Sequence, residues 1–233
     1  MAELKRILYC EGNVDGTIGG SFYSLLYLVE RLDRMRYRPI VVFHRDNSLI
    51  PTYRAAGIDT RVLPLREPLR FDARLRGVAI VFKVAQRLVN FARRFVFEAI
   101  DCARLLRRER VDLVHLNNSI MRNHHWMLGA MLAGVPCVTH ERGINTRYSM
   151  TARFLSNRLK AILCLSTAVR DALLRGRIDA GRLVIVPNGL DPARVQPRLS
   201  AVEVRKRHGI AAGEPVIGIV GNIKEWKGQE VVV

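Results

Sequence analysis

The sequence has few cysteines, few aromatic residues and no long uninterrupted apolar run. Its four cysteines, Cys10, Cys102, Cys137 and Cys164, stand far apart, with no C-x-x-C pair and no histidine at metal-ligand spacing beside them. Such spacing argues against a zinc site and against a disulfide scaffold. We therefore expect buried free thiols in a reducing, cytoplasmic setting. The N-terminal residues also lack the apolar length and the small-residue cleavage site of a signal peptide.

Several catalytic motifs are missing as well. No D-x-D pair is available to hold a divalent cation against a diphosphate, so we expect no metal cofactor. No G-x-S-x-G elbow is present, which leaves hydrolysis by an activated serine unsupported. Gly12, Gly16, Gly19 and Gly20 do not have the spacing of G-x-G-x-x-G, and no Gly-Lys-Ser/Thr follows them. A nicotinamide dehydrogenase and an NTPase are therefore disfavoured.

Acidic residues are scarce in this chain. Only 21 Asp and Glu stand against 38 Lys and Arg, which gives a formal net charge of +17 over 233 residues. An excess of this size attracts polyanions, among them nucleic acid, an anionic membrane face and phosphorylated small molecules. The chain has no recognisable DNA or RNA module and few aromatic residues between its arginines, so we expect no nucleic-acid partner.

Short apolar runs alternate regularly with helical patterns along most of the chain. Seven such runs precede residue 190, at 4–10, 39–43, 59–63, 111–116, 135–140, 161–166 and 183–189. Runs without polar alternation, separated by helices, predict an α/β, Rossmann-like parallel sheet with helices on both faces. The second predicted helix has Asn47 or Ser48 as its N-cap and ends at Gly57.

The pattern also divides the chain into domains. Residues 1–190 are predicted to form the Rossmann-like domain, and the polar, proline-containing stretch 191–213 a linker. The apolar run 215–221 then resembles the first strand of a second α/β domain, so residues 214–233 are expected to be its incomplete beginning.

The segment 66–110 is unusual because it combines charge with apolar character. It has 12 basic and 5 acidic residues around a strongly apolar stretch, 77–100. The stretch is interrupted by Lys83, Arg87, Arg93 and Arg94, which disfavours a membrane span. Two interpretations stay open: a long helix packed on the sheet with a solvated basic face, or an amphipathic helix lying on an anionic membrane surface.

Candidate site residues follow the predicted strands, because ligands bind beyond the carboxyl ends of strands in open parallel sheets. They are Gly16, Gly19, Gly20, Ser21, Asn117, Asn118, Ser119, His140, Glu141, Arg142, Gly143, Ser166, Asn188 and Gly189. The Gly19–Gly20 pair at a helix start favours phosphate. His140 can donate to a hydroxyl or phosphate, and Arg142 can pair with an acidic ligand. Each also has a purely structural interpretation, as a turn former or a core side chain.

Six segments together carry a resemblance to a known family. They are GTIGGSFYSLLYLVERLD, DLVHLNN, VTHERG, ILCLS, VIVPNGLD and PVIGIVGNIKEWKGQ. In this order they resemble the retaining nucleotide-sugar glycosyltransferases of family 4, which have the GT-B architecture of two facing Rossmann-like domains. The last segment, a strand ending in Gly followed by Lys-Gly, is the most specific. The resemblance covers nearly the whole chain, as the N-terminal domain and the first strand of the C-terminal domain.

The resemblance implies transfer of a sugar from a nucleoside diphosphate sugar to a hydroxyl, with retention at the anomeric carbon and without a metal. Gly19 and Gly20 would then lie against the donor diphosphate and the reacting sugar. His140 would be the catalytic residue and hydrogen-bond the donor sugar. Lys227 would bind the diphosphate leaving group and stabilise the negative charge that grows as the glycosidic bond breaks.

The remaining donor-side residues include one departure from the family. Asn188 and Gly189 would shape the hinge side of the cleft. Asn222 stands where the family usually has Arg, and Lys224 is a candidate for the missing charge. The chain also ends before the paired-glutamate motif of the family, so we expect a fragment that turns over poorly alone.

The acceptor is expected on the N-terminal domain, near Asn117, Asn118 and Arg142. By resemblance it would be a lipid-linked or other glycan of cell-envelope or exopolysaccharide synthesis, reached from the cytoplasm or from the inner face of the membrane. Two alternatives remain open. One is a nucleotide-sugar epimerase of the same architecture, and the other is an inactive, membrane-associated fragment.

Overall fold

A seven-stranded parallel sheet is the frame of the described part of the chain. The computed structural model describes residues 3–14, 16–69, 79–221, 223 and 228–232. The strands are β1 Lys5–Glu11, β2 Tyr37–Phe43, β3 Asp59–Val62, β4 Leu113–Asn117, β5 Cys137–Glu141, β6 Ala161–Cys164 and β7 Leu183–Ile185. Every predicted strand before residue 190 is confirmed, and so is the Rossmann-like α/β class.

The order of the strands places a crevice at the middle of the sheet. Across the sheet the order is β3-β2-β1-β4-β5-β6-β7. The chain first moves outward from β1 to β3 and then returns to lay β4 beside β1, with Glu11 aligned with Asn117. Such a reversal opens a crevice beyond the carboxyl ends of the two central strands, where ligands of open α/β sheets bind.

Helices connect the strands. They are α1 Gly20–Glu30, α2 Ile50–Ala55, α3 Ala79–Phe91, α4 Glu98–Arg108, α5 His124–Ala133, α6 Met150–Ser156, α7 Thr167–Arg175 and α8 Ala201–His208. α5 ends at Gly134, which has a φ of +72°, a left-handed conformation that favours glycine because it has no side chain. Ser166, a candidate site residue, caps α7 by accepting from the backbone N–H of Val169.

The start of α2 differs from the prediction. The N-cap position is Leu49, so the prediction of Asn47 or Ser48 there is wrong. Asn47 instead forms a turn just before the helix, since its Oδ1 accepts from the N–H of Leu49 at 3.1 Å. Asn side chains compete with helical hydrogen bonds in this way. Gly57 follows the helix with a φ of +70°, as expected.

Alternate residues of β1 face two different cores. Leu8 and Cys10 belong to the core shared with α4 to α7, whereas Ile7 and Tyr9 belong to the core shared with α1 and α2. Helices therefore cover both faces of the sheet, as a parallel sheet requires. All four cysteines are buried free thiols, as predicted.

The basic, apolar segment is helical over a longer range than predicted. α3 and α4 are joined by a π-helical segment, Ala92–Phe97, so helix continues from 79 to 108. α4 buries Ala99 and Leu106, whereas α3 leaves a row of large apolar side chains exposed. In the described residues no helix is both long enough and apolar enough to cross a membrane.

The chain divides into two compact units, Met1–Gly189 and Leu190–Val233. The second unit contains α8, which Ser200 and Glu203 start with a capping box. The strand expected over 215–221 is not formed in the described residues, and Ile217 and Val220 there are exposed. An apolar run forms a β-strand only where an adjacent strand hydrogen-bonds to its backbone, and the sequence of the run does not show whether such a strand is present.

Gly129→Ala should lower the free energy of unfolding. A Cβ at this position would lie 2.6 Å from the Cβ of Cys102 and 2.8 Å from the carbonyl oxygen of Ala99, because α4 and α5 pack closely there. Overpacking of this kind costs about 1–3 kcal/mol. Gly143→Ala is the matched control, since nothing lies within 4 Å of its added Cβ. Urea denaturation compares the two, and equal midpoints would contradict the close α4–α5 contact.

Candidate functional site

A buried carboxylate marks the crevice between β1 and β4. Glu11, the last residue of β1, is fully buried. Its Oε2 accepts from Nδ2 of Asn117 at 2.5 Å, and its Oε1 accepts from Nδ2 of Asn118 at 2.8 Å. Burial raises the pKa of Glu11, while hydrogen bonds from both asparagines and from Ser21 oppose the rise. The carboxylate thus joins the carboxyl ends of the two central strands.

Arg142 lies on the other side of Asn117. Its Nε and Nη2 both donate to Oδ1 of Asn117, at 2.9 and 2.6 Å. Its Nη1 donates to Oδ1 of Asn188, and its Nη2 also lies 3.3 Å from Nδ1 of His140. One guanidinium therefore connects the ends of β4 and β5 with the segment after β7.

The imidazole of His140 has a protein partner on each nitrogen. Nε2 lies 3.2 Å from the carbonyl oxygen of Val186, and Nδ1 receives Arg142. A carbonyl can only accept and a guanidinium can only donate, so the assigned tautomer carries its proton on Nε2. Burial, and then the charge of Arg142, lowers the pKa of His140 to about 4. The ring is therefore neutral at pH 7 and presents one N–H.

The helix that begins beside this cluster has an open N-terminus. Asn117 Nδ2 donates to the carbonyl of Ser21 at 3.1 Å and so attaches the start of α1 to the end of β4. A Cβ at Gly19 or Gly20 would meet nothing within 4 Å. The first turn has no acidic residue, and no side chain caps Gly19. The backbone N–H groups and the helix dipole at such an end favour an anion.

A second buried carboxylate fixes the loop between β4 and α5. Glu141, the last residue of β5, accepts from the N–H of Ile120 at 2.7 Å and from Nδ2 of Asn145 at 3.1 Å. Burial raises the pKa of Glu141 to about 7. The loop contains Asn118 and Asn123, both with positive φ, a conformation that costs energy unless its surroundings fix it.

A cavity of about 610 Å³ adjoins the crevice. One wall is the loop after β1, where the N–H of Asn13 donates to Glu11. The other walls come from α3, the π-helical segment and the loop before α5, and they include Arg87, Arg94 and Arg122. The candidate site therefore combines an open helix end and a basic cavity, each of which adjoins the same hydrogen-bonded cluster.

Most of the predicted site residues follow the carboxyl ends of strands in the structure. They are Gly19, Gly20, Asn117, Asn118, His140, Arg142, Asn188 and Gly189. Asn222 and Lys227 lie outside the described residues. Among the residues the structure describes, no group of three or more His, Cys, Asp or Glu could hold a metal ion.

Sequence reasoning missed Glu11 and gave no role to Glu141. The available signal was the same in both cases, an acidic residue that directly ends an unalternating apolar run. It treated Arg87 and Arg94 as part of a solvated basic face or of a membrane contact and not as cavity residues, because the loop before α5 that completes the cavity is far away in sequence.

Comparison with known proteins assigns the chain to a family. The model of Glycosyltransferase Family 4 matches residues 18–194, which is more than half of the chain. The chain belongs to Glycosyltransferase Family 4. The matched range includes the open start of α1, Asn117, His140, Arg142 and Asn188, whereas Glu11 lies just before it.

Individual relatives agree with the family. The UDP-Gal:alpha-D-GlcNAc-diphosphoundecaprenol alpha-1,3-galactosyltransferase of Escherichia coli is 23% identical over 137 residues, which are 53% of this chain and 35% of that protein. Anabaena Alr3699/HepE, in its crystal structure with UDP-glucose, superposes with a TM-score of 0.68 at 18% identity, over 97% of this chain and 55% of that one. The GT-B type of fold is confirmed, and this chain spans about half of the length of the structures it matches.

The family match favours the glycosyltransferases over the epimerase alternative.

Glu141→Gln should change the pH dependence of stability. The carboxyl group has a pKa of about 7 in the fold and 4.5 as its ordinary value. Between these values the folded protein binds more protons than the unfolded chain, so this residue's contribution to stability falls as the pH rises from 4.5 to 7. Glutamine does not titrate, so the free energy of unfolding of the wild type minus that of the variant should fall by about 2–3 kcal/mol across this range.

Urea denaturation at a series of pH values measures this difference. Glu67→Gln is the control, because it makes the same substitution at an exposed residue. A curve for Glu141→Gln that runs parallel to that of the wild type would show that its carboxyl is not buried as described.

Proposed function

We propose that this chain is part of an enzyme that transfers a hexose from a UDP-sugar to a hydroxyl group of a lipid-linked glycan, with retention of configuration and without a metal. Membership of Glycosyltransferase Family 4 is the observation that carries the proposal. The name of the Escherichia coli relative includes a UDP-sugar and a diphosphoundecaprenol acceptor, and the Anabaena structure holds UDP-glucose. Both support the choice of donor, and the first supports the choice of acceptor.

Negative charge grows on the diphosphate as the glycosidic bond of the donor breaks. The open N-terminus of α1 at Gly19 and Gly20 is suited to that charge, because its N–H groups are fixed before the reaction begins. We assign Lys227 and Asn222 to the same diphosphate on the strength of the family motif. Asn188 and Gly189 are assigned to the donor side and Asn118 to the acceptor side of the crevice.

His140 is assigned to the donor sugar. Its Nε2–H lies against the carbonyl of Val186, and a sugar hydroxyl that takes the place of this carbonyl would receive the same hydrogen bond. Arg142 is a positioning residue in this proposal. By donating to Nδ1 it keeps the proton on Nε2, and its contacts with Asn117 and Asn188 keep its own side chain in place.

UDP release tests the proposal. UDP-galactose, UDP-glucose and UDP-N-acetylglucosamine would be supplied with a sugar-diphosphate-lipid acceptor, to this chain and to any longer gene product that contains it. His140→Ala should lower kcat by about 10²–10³-fold, the usual effect of losing one transition-state hydrogen bond. His208→Ala, in the exposed helix α8, should leave kcat unchanged.

Two outcomes would contradict the proposal. If neither this chain nor a longer gene product released UDP from any of the donors, the proposed transferase activity would be ruled out. Conversion of the sugar nucleotide without any acceptor would identify an epimerase instead.

We also propose that the protein acts in the cytoplasm on the inner face of the membrane, with α3 against the lipid. Ile80, Val84 and Leu88 are 78, 52 and 65% exposed and recur every four residues on one face of α3. Lys83 and Arg87 lie in the same helix and suit anionic headgroups. An apolar face with basic neighbours is the pattern of helices that lie in a membrane interface.

Replacing Ile80, Val84 and Leu88 with Glu should release the protein from vesicles. Each substitution removes apolar contact and adds a charge that anionic lipid repels, so we expect a loss of binding of about tenfold or more. The control is Met35→Glu, Leu190→Glu and Val202→Glu, which makes the same charge change at apolar residues exposed elsewhere. Flotation with phosphatidylglycerol vesicles measures binding. Equal loss in both triple variants would contradict a specific role for α3.

A further inference from the structure

The cavity beside the crevice is basic and has no carboxylate in its walls as far as the structure describes them. Three arginines line it: Arg87 from α3, Arg94 from the π-helical segment and Arg122 from the loop before α5. All three are exposed, and in the described part of the chain none of them forms a salt bridge with Asp or Glu. Uncompensated guanidinium groups around one cavity attract an anion and match phosphate oxygens.

Buried polar groups of the same cavity also lack partners. Asn123 is 7% and His125 8% exposed, and both line the cavity. Asn123 Nδ2 and His125 Nε2 have no hydrogen-bond partner in the described structure. Buried atoms of this kind are costly unless a ligand or water satisfies them. They also lie at the start of α5, which no side chain caps and which has no acidic residue in its first turn.

The cavity has an apolar side as well. Phe91 and Phe95 lie with their ring centroids 5.1 Å apart, and Leu65 and Met121 complete this side. Phe91 is 58% exposed although it borders a cavity. A simple phosphate ion would leave this side unused, so the walls suit a ligand that has an anionic part and an apolar part.

We propose that this cavity binds the diphosphate and the first apolar units of the lipid carrier of the acceptor. The identification of the ligand as the acceptor rests on the proposed function. Arg87, Arg94 and Arg122 hold the phosphate oxygens, Asn123 and His125 donate to them, and the phenylalanine pair contacts the apolar chain. Gly12 and Asn13 connect the cavity to Glu11 and Asn117, so a sugar attached to the diphosphate points toward the crevice.

Farnesyl diphosphate is a soluble probe of this chemistry. Isothermal titration calorimetry with the full chain should show binding of farnesyl diphosphate, and weaker binding of farnesol and of inorganic pyrophosphate, each of which has only one of the two parts. Arg87→Gln with Arg94→Gln should raise the Kd of farnesyl diphosphate by about tenfold or more. Phe91→Ala should raise it by about three- to tenfold.

Matched variants control for charge and for loss of an aromatic ring. Arg54→Gln with Arg175→Gln removes the same charge from exposed positions outside the cavity. Phe154→Ala removes an aromatic ring that is 55% exposed on α6. Both controls should keep the wild-type Kd. A control that weakens binding as much as its cavity partner would overturn the proposal.

The diphosphate of the nucleotide donor shares part of this chemistry, and a competition experiment distinguishes the two sources. Displacement of farnesyl diphosphate by UDP at an equal concentration would assign the cavity to the donor and overturn the proposal. Pyrophosphate binding as tight as that of farnesyl diphosphate would overturn it too, because the apolar side would then contribute nothing.

The result is independent of the test of the transferase. Selective binding of farnesyl diphosphate without any UDP release would establish the cavity as a site for lipid diphosphates and would contradict the proposed transferase activity. UDP release without binding of farnesyl diphosphate would support the transferase activity and would contradict the assignment of this cavity to the acceptor.

Discussion

The hydrogen bonds of Glu11 join the carboxyl ends of β1 and β4, the two central strands between which the strand order reverses. The rest of the site depends on this connection. Burying a carboxylate costs several kcal/mol unless it is fully hydrogen-bonded. Here two asparagine amides at the end of β4 satisfy it, and the N–H of Asn13 adds a third partner. Asn117 suits this place because it offers a donor to Glu11 on one side and an acceptor to Arg142 on the other. An aspartate would have no donor for Glu11, and an apolar side chain would leave both charged groups without this partner.

The positive charge of the site comes from arginine side chains. Burial lowers the pKa of His115 and His125 to about 3 and that of His140 to about 4, so these rings are neutral in the fold. Their hydrogen bonds fix geometry, whereas Arg142 and the arginines of the cavity supply the charge. Affinity for a diphosphate should therefore follow salt concentration more closely than pH.

The fold could be predicted from the sequence because its signals are local. Each buried strand is a short apolar run, and Gly134 and Ser166 end or start a helix through their own backbone or side chain. The predictions that were wrong needed non-local information. The run 215–221 has the residues of a strand, but pairing is decided by a neighbour that the run itself does not encode. The sequence has two neighbouring N-cap candidates for α2, Asn47 and Ser48. In the structure Asn47 forms a turn with Leu49 instead, and Leu49 occupies the N-cap position.

The candidate site was predictable only in part, for a related reason. Topology places the ends of strands at one edge, so Asn117, His140 and Arg142 could be named before their contacts were known. Glu11 also directly ends an apolar run, but the run does not show that its carboxylate is buried or that two asparagines of the next central strand bind it. The basic cavity combines residues about thirty positions apart, Arg94 and Asn123, and only the packing of α4 on α5 brings their segments together.

The segment from α3 to α4 connects the proposed membrane contact with the proposed acceptor site. Arg87 and Phe91 are four residues apart and so share the face of α3 that borders the cavity. Leu88 is three residues from Phe91, which places the exposed row of Ile80, Val84 and Leu88 next to that border. The π-helical segment then turns Arg94 and Phe95 toward the same cavity, a use of π-helical residues that is common at functional sites. In the two proposals together, a lipid chain whose diphosphate lies at the arginines would leave the cavity along the exposed apolar side chains of α3.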